Sequence, residues 1–338
     1  MEYRDFGDTG LRVSELGLGC SPLGGGLFHK DDAESTRVLA RAIDAGVNFF
    51  DTSDNYSMGH SERLIGEAIK DRRDRFVVAT KGGAAFQSIG RIALALRPIL
   101  RPARGLLKGA RRSLNLMRDK RKLYDYSPEH LGAAVDASLR RLQTDYIDIY
   151  QLYNPETFQI EGFAFCETLE RMREQGKIRF YGISARDADD ALLCLTHPGI
   201  KSIQIALSLL DPEATERLLA EAKAKGVGII ARSPLAQGLL TDATGHTMAD
   251  ESSHVTPAQI QYRRQQAKSF AFLVRPGRTL AQAALRYALQ QDGTSVVIPS
   301  AISLSELDEN LGALAAPPLS ADELAEIDRM QNAPANAA

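Results

Sequence analysis

Three residues in the first quarter of the chain have types that together could move a proton: Asp51, Tyr56 and Lys81. A tyrosine is a weak acid, with an ordinary pKa of about 10. A neighbouring ammonium favours its phenolate and eases proton exchange, and a carboxylate can hold that ammonium in place. Such a trio is a proton relay suited to reducing a carbonyl group. The spacing also allows a plainer assignment, in which Lys81 and Asp51 form a rim salt bridge and Tyr56 is a loop aromatic. Six histidines (His29, His60, His130, His197, His246, His254) show no metal-ligand spacing, and Cys20, Cys166 and Cys194 form no CxxC pair. No metal site is expected, and sparse unpaired cysteines fit a reducing compartment.

The relay residues fall at the ends of short apolar runs, and those runs define the elements that must position them. Leu16–Cys20, Val47–Asp51, Phe76–Lys81, Tyr146–Tyr150, Phe180–Ser184, Ile203–Ala206, Gly228–Ala231 and Ser295–Pro299 are eight candidate strands covered on both faces. Amphipathic helical segments separate them. One starts at Asp31-Asp32-Ala33-Glu34 and stops at Gly46, another starts at Ser127-Pro128, and a third is expected to open at Asp211-Pro212 and close at Gly226. Eight alternating units predict a closed (β/α)8 TIM barrel, an α/β fold with functional residues at the strand C-terminal ends. An open doubly wound sheet is the rival. Its GxGxxG phosphate turn is missing, because Gly17-Leu18-Gly19 is followed by Pro22.

One domain is expected over residues 1–330, with a tail at 331–338. Two segments stand outside the barrel pattern. Thr241–Val274 is polar and then helical around Gln259–Phe272. The stretch 86–126, after the third strand, carries eleven Lys/Arg against Asp119 and Asp125 in a chain of net charge −2. It is expected to be a lid at the active-site rim, able to attract an anionic substrate, partner or surface. Its aromatics lie only at its ends, which argues against nucleic acid. The polar opening MEYRDFGDTG and the lack of any 18-residue apolar run predict no signal peptide and no membrane span, so the cytoplasm is the expected location.

Several ordered motifs resemble the aldo-keto reductase family. Phe49-Phe50-Asp51-Thr52-Ser53-Asp54-Asn55-Tyr56 with Ser61-Glu62-Arg63-Leu64-Ile65-Gly66 is similar to its Asp/Tyr signature, and Val78-Ala79-Thr80-Lys81 to its lysine strand. Leu139-Arg140-Arg141-Leu142 with Asp145-Tyr146-Ile147-Asp148 resembles the approach to its active-site histidine. Ser233–Leu240 resembles its pyrophosphate loop, and Ile298-Pro299 with Glu309-Asn310 its adenosine segment. The opening Gly10–Gly17 resembles its N-terminal hairpin, and extra C-terminal helices complete the likeness.

The resemblance implies an NAD(P)(H)-dependent oxidoreductase that interconverts a small-molecule carbonyl and its alcohol, with Tyr56 giving the proton and Asp51 and Lys81 supporting it. Ser184 and Gln204 would hold the nicotinamide carboxamide and Arg232 would stack on its ring. Ser233, Leu235, Gln237 and Gly238 would line the pyrophosphate, and Ile298, Ser300, Glu306, Glu309 and Asn310 the adenosine. Three departures matter. Tyr153 stands where the family places its orienting histidine; a phenol still donates a hydrogen bond but is larger. Ala185 and Ser208 each replace an asparagine. The stretch Ser300–Glu306 has no basic residue for a 2′-phosphate, which tilts the expectation from NADP(H) toward NAD(H), although Ser303 and Glu306 also spell a capping box. Alternatives kept open are a redox-neutral lyase or epimerase, a C=C reductase with retained nicotinamide, and a non-catalytic cofactor sensor. Cofactor that survives purification without net turnover would mark the first, and indifference to loss of the Tyr56 hydroxyl the last.

Overall fold

A computed structural model describes residues 1–24, 32–85, 123–214, 217–241 and 256–332. The helical and extended patterns resolve into strands β1 (Tyr3–Asp5), β2 (Arg12–Ser14), β3 (Leu18–Gly19), β4 (Phe49–Asp51), β5 (Val77–Gly82), β6 (Ala84–Ala85), β7 (Leu123–Tyr124), β8 (Ile147–Tyr153), β9 (Ile178–Ser184), β10 (Ile200–Ala206), β11 (Gly228–Arg232) and β12 (Val296–Ile298). The helices are α1 (Asp32–Asp44), α2 (His60–Ile69), α3 (Pro128–Leu142), α4 (Thr157–Glu161), α5 (Ala164–Glu174), α6 (Ala188–Cys194), α7 (Leu218–Ala224), α8 (Pro257–Ser269), α9 (Leu280–Leu289), α10 (Leu304–Gly312) and α11 (Ala321–Gln331).

Eight strands form one parallel sheet in the order β3-β4-β5-β8-β9-β10-β11-β12. Parallel bridges Leu16↔Val297 and Gly19↔Ser300 bring the last strand back to the first. All eight predicted runs are strands, and the (β/α)8 barrel is the fold. The apolar character of those runs follows from burial on both faces: one face meets the helices, the other the barrel interior.

The lower end is sealed by the antiparallel β1–β2 hairpin. Phe6 enters there, fully buried, with its ring 6.1 Å from that of Phe49. Gly228 makes room for it, since a Cβ at that position would lie 2.3 Å from the Phe6 ring. Phe6, Val13, Phe49, Val77, Ile149 and Val296 make one apolar cluster. Burying the phenylalanine contributes about 2–3 kcal/mol.

Caps fall largely where the sequence puts them. Ser127 Oγ accepts from the His130 amide at the start of α3, with Pro128 in its first turn. The expected helix at Asp211-Pro212 is a correction, because α7 begins only at Leu218. Asp211 is taken up by a tight turn, in which Ser208 Oγ donates to it at 2.7 Å, and by Arg263, which donates to both of its oxygens at 2.9 Å. Of the tail expected at 331–338, Gln331 closes α11 and residues 333–338 lie outside the described residues. Leu123–Tyr126 do not belong to a loose insertion either: β7 pairs antiparallel with β6 and returns the chain to the rim. The lid expected between them, residues 86–122, lies outside the described residues. Among the described residues no helix is long and apolar enough to cross a membrane, and the three cysteines are free and buried.

Candidate active site

Strand period decides what the upper end of the barrel receives. Side chains alternate between faces, so the strands that turn Phe49 and Val77 into the lower core also turn Asp51 and Lys81 inward near their C-terminal ends. Lys81 Nζ donates to Asp51 Oδ1 at 2.8 Å and Oδ2 at 2.7 Å, and to the Thr52 carbonyl at 2.9 Å. Both side chains are buried. The same ammonium donates to the Tyr56 hydroxyl at 3.4 Å. The three relay residues are thus brought together by two adjacent strands and the loop after β4.

The protonation of Tyr56 differs from the sequence expectation. The sequence reads a neighbouring ammonium as favouring the phenolate and easing proton exchange. Instead burial pushes the phenol well above its ordinary value, and the charge of Asp51 adds to this, with Tyr153 contributing in the same direction and Arg232 opposing. The physical reason is that the Lys81 charge is met by both oxygens of Asp51. Tyr56 therefore keeps its proton through neutral and mildly alkaline pH, as a donor must.

Tyr56 sits in a turn, Tyr56–Gly59, in which Ser57 (φ 47°) and Met58 (φ 57°) are left-handed. Such conformations cost of order 1 kcal/mol each for residues with a Cβ and concentrate at functional sites. Tyr153 ends β8 on the same rim, its ring in a loose stack with Tyr124 (6.4 Å) and Tyr124 in turn with Tyr126 (6.2 Å). Tyr126 Oη donates to the Tyr153 carbonyl at 2.9 Å. The sequence reading assigned Tyr126 to the insertion and missed its place in the site.

The residues expected to hold a dinucleotide form one arc along the rim. Ser184 and Arg232 end β9 and β11, and Gln204 lies two residues before the end of β10, the strand between them. Gln204 is turned into the relay, with Nε2 donating to Asp51 Oδ1 at 2.6 Å, and Ser184 Oγ donates to Gln204 Oε1 at 3.3 Å. Arg232 donates to the Ala185 carbonyl at 3.2 Å. The loop after β11 holds left-handed residues at Ser233 (φ 55°), Ala236 (φ 46°), Gln237 (φ 59°) and Gly238 (φ 92°), with Leu235 between them. The arc continues past β12, where Ile298 is buried and buried Asn310 donates from Nδ2 to the Ser300 carbonyl at 3.2 Å. Glu309 accepts from Thr279 Oγ1 at 2.5 Å. Ser303 Oγ accepts the Glu306 amide at 3.3 Å. Glu306 Oε2 accepts the Ile302 amide at 2.9 Å and not that of Ser303, so the expected capping box is only half formed. An uninterrupted run of donors, guanidinium and strained loop from β9 to β12 fits an extended dinucleotide. Among the described residues no group of His, Cys, Asp or Glu is placed to hold a metal.

A sequence profile of the aldo/keto reductase family matches residues 15–332. The chain belongs to the aldo/keto reductase family. It is 31% identical over 329 residues to the uncharacterized oxidoreductase YqkF of Bacillus subtilis, covering 96% of this chain and 94% of that one. It is 30% identical over 336 residues to L-galactose dehydrogenase of Arabidopsis thaliana, covering 93% and 88% respectively. Among solved structures, the aldo-keto reductase AKR11C1 of Bacillus halodurans in its holo form superimposes with a TM-score of 0.76 at 29% identity, covering 98% of this chain and 96% of that one. An oxidoreductase barrel of this family therefore carries the relay described above.

Two familiar positions look different in their surroundings. Ser208 spends its hydroxyl within its own turn, donating to Asp211 and accepting the Leu210 amide at 3.1 Å. Ala185 offers backbone only: its amide donates to the Gln204 carbonyl and its carbonyl accepts from Arg232. Asp54, Glu62 and Arg141 carry a buried polar cluster beside the Tyr56 turn that the sequence reading assigned no role. Arg141 lies 79 residues beyond Glu62 in the chain, and nothing in the local pattern pairs them.

Proposed function

We infer that this chain is an NAD(P)(H)-dependent carbonyl reductase, or an alcohol dehydrogenase in reverse, with Tyr56 as the proton donor. The observation that carries the reading is the Asp51–Lys81–Tyr56 chain of contacts, closed at 2.7 Å and 3.4 Å on the rim where barrel enzymes place their chemistry. When bound, the reduced nicotinamide supplies the hydride to the carbonyl carbon. Tyr56 supplies the proton to the carbonyl oxygen. An alkoxide is more basic than a phenolate, so transfer from a firmly protonated phenol to the developing alkoxide runs downhill. Lys81 then stabilises the phenolate left behind, and Asp51 keeps the ammonium in place with no need for reorganisation. Ser184, Gln204 and Arg232 hold the nicotinamide end; Ser233, Leu235, Gln237 and Gly238 the pyrophosphate; Ile298, Ser300, Glu309 and Asn310 the adenosine end.

Tyr153, with Tyr124 and Tyr126 behind it, gives the substrate side an aromatic wall and takes over orientation of the carbonyl through its hydroxyl. The cofactor is NAD(H) rather than NADP(H), because residues 300–306 offer a phosphate no cation and one carboxylate, Glu306. A reducing compartment, the cytoplasm, suits three free thiols. The basic segment 86–122 draws anionic substrates toward the rim, since both of its ends emerge there.

The experiment is a nicotinamide-absorbance assay with NADH and NADPH over ketones, aldehydes, quinones and an aldose, with Tyr56→Phe in parallel. The expected result is turnover that falls by about 10²–10⁴-fold in the variant, while NADH fluorescence shows cofactor binding unchanged. Wild-type protein that binds cofactor and turns over nothing, or a variant as active as wild type, overturns the reading.

A further inference from the structure

The turn that presents Tyr56 is strained, and something outside the relay must hold it. Its two ends are marked by buried carboxyl groups, Asp54 before it and Glu62, in the first turn of α2, after it. One guanidinium serves them. Arg141, on α3, donates from Nε to Glu62 Oε2 at 2.5 Å and from Nη2 to Ser138 Oγ at 3.0 Å. It also lies flat on the turn itself, where Gly59 (φ 82°) is the residue that admits it, since a Cβ there would stand 2.5 Å from Arg141 Nε. The other Glu62 oxygen accepts from Thr80 Oγ1, on β5, at 2.7 Å. Glu62 is thus hydrogen-bonded at both oxygens.

Asp54 is less well held. Among the described residues its carboxyl receives only a long contact from Ser53 Oγ, at 3.3 Å, besides the backbone of its own turn. The groups that face it are Glu62 from α2, Arg141 from α3 and Tyr150 from β8. The Tyr150 hydroxyl is buried and has no hydrogen-bond partner among the described residues. Lys81, on β5, spends its charge inside the barrel on Asp51, and His60, at the start of α2, is paired with Asp32. Two carboxyl groups therefore compete for one cation that is already committed.

We propose that Asp54 and Glu62 are positioning residues that, with Asp54 protonated and Glu62 bound to Arg141, hold the turn presenting Tyr56 to Lys81, and that loss of the Asp54 proton releases it. The inference rests on Tyr56 as the proton donor. Burial and the Glu62 charge push the Asp54 carboxyl up to about 7, whereas Tyr56 stays protonated far above that pH. A loss of rate near neutrality then belongs to the turn and not to the phenol.

The test uses the full-length protein labelled with ¹³C at aspartate carboxyls and at tyrosine rings. Asp54→Asn assigns the carboxyl signal. In wild type that signal is expected to titrate near pH 7, with the Tyr56 ring signal moving at the same midpoint. In Glu62→Gln the midpoint is expected to drop by at least one pH unit, a tenfold weaker hold on the proton. Wild-type kcat should fall through the same range with the KM for NADH unchanged, and the fall should be absent in Asp54→Asn. An Asp54 midpoint near 4, or a Tyr56 signal that ignores the titration, overturns the proposal, as does an identical pH limb in Asp54→Asn. If wild type reduces no carbonyl, the catalytic reading fails by itself, and the two carboxyl and ring titrations still decide whether the pair governs the turn.

Discussion

The two ends of the barrel both bury inward residues, save for the half-buried Arg232, and are built from opposite chemistries. At the lower end Phe49, Val77, Ile149, Ile230 and Val296 close on Phe6 of the hairpin. Further along the same strands the inward positions become Asp51, Lys81, Gln204 and Arg232. Because side chains repeat every two residues, one register sets both layers. The apolar layer, sealed by β1 and β2, gives the strands their register and much of their stability, and the polar layer inherits positions from it. Buried charge by itself is a poor stabiliser, since desolvation offsets most of the Coulombic gain. The contrast with Asp148 sharpens the point. That carboxylate is also buried, on the outer face of β8, but accepts from Arg73 at 2.6 Å, from Arg179 at 2.9 Å and from the Val78 amide at 3.0 Å. Asp51 also accepts three hydrogen bonds, two from Lys81 and one from Gln204. Its lysine, however, reaches on to the Tyr56 hydroxyl, whereas among the described residues the partners of Asp148 reach no such hydroxyl.

The strongest way to break this comparison is Lys81→Met. It leaves Asp51 buried with only the Gln204 amide as a side-chain partner, which should cost about 3–5 kcal/mol, and it removes the cation beside Tyr56, which should lower kcat by about 10²–10⁴-fold. Urea unfolding and the steady-state assay read the two losses separately. A variant that loses stability while each folded molecule stays as active would make the upper layer mere structure. Phe6→Ala addresses the other end. It should cost about 3–5 kcal/mol as a cavity opens beneath the barrel, and kcat per folded molecule should stay within twofold of wild type at a temperature where both are folded. A large drop in kcat would mean that the plug and the relay are coupled.

The eight strands were legible in the sequence because apolar runs follow local periodicity. Asp51 and Lys81 fall at the ends of such runs, but with Tyr56 they stood out by resemblance to a family signature, since spacing alone also allows a rim salt bridge. Short-range signals also gave the Ser127 cap, while the loop at Ser233–Gly238 was marked by family resemblance and its left-handed residues are visible only in the fold. What stayed hidden depends on contacts between distant segments. Tyr126 reads as part of a basic stretch until β7 pairs with β6. Asp211-Pro212 spells a helix start, yet Arg263, 52 residues away, holds Asp211 in a turn. Glu62 and Arg141 are ordinary helix residues until α2 and α3 meet. The direction of the Tyr56 shift was misread because spacing shows that a lysine is near, not that an aspartate has already taken its charge.

A third prediction concerns stability at the Tyr56 turn. The Asp54 carboxyl is ordinarily near 3.8 and is pushed up to about 7 in the folded chain, so the folded state holds the proton more tightly than the unfolded one. The stability this contributes is fully present below about pH 4, declines as pH rises toward 7 and is gone above it, a total on the order of 4 kcal/mol at most. Asparagine has the shape of the protonated acid and no proton to lose. The Tm of Asp54→Asn should therefore exceed that of wild type above pH 7 and match it near pH 4. Thermal melts at pH 4.5 and 8 read the difference, and equal gaps at both would remove Asp54 from the account.

The smallest expected effect lies at the far end of the dinucleotide arc, where the polar layer gives way to solvent. Glu306 is exposed and bonds only the backbone amide of Ile302 and its own helix start. Its Coulombic influence on a bound phosphate is screened by water, so its removal shifts preference modestly. Glu306→Arg exchanges a repelling charge for an attracting one and gives up a capping contact of about 0.5–1 kcal/mol. The ratio of kcat/KM for NADPH over NADH should rise about tenfold, equivalent to about 1.4 kcal/mol of differential binding, and the gain should shrink at high salt. A ratio that does not move would show that the ribose end is read elsewhere on the rim, and that the absence of a cation from residues 300–306 says nothing about cofactor choice.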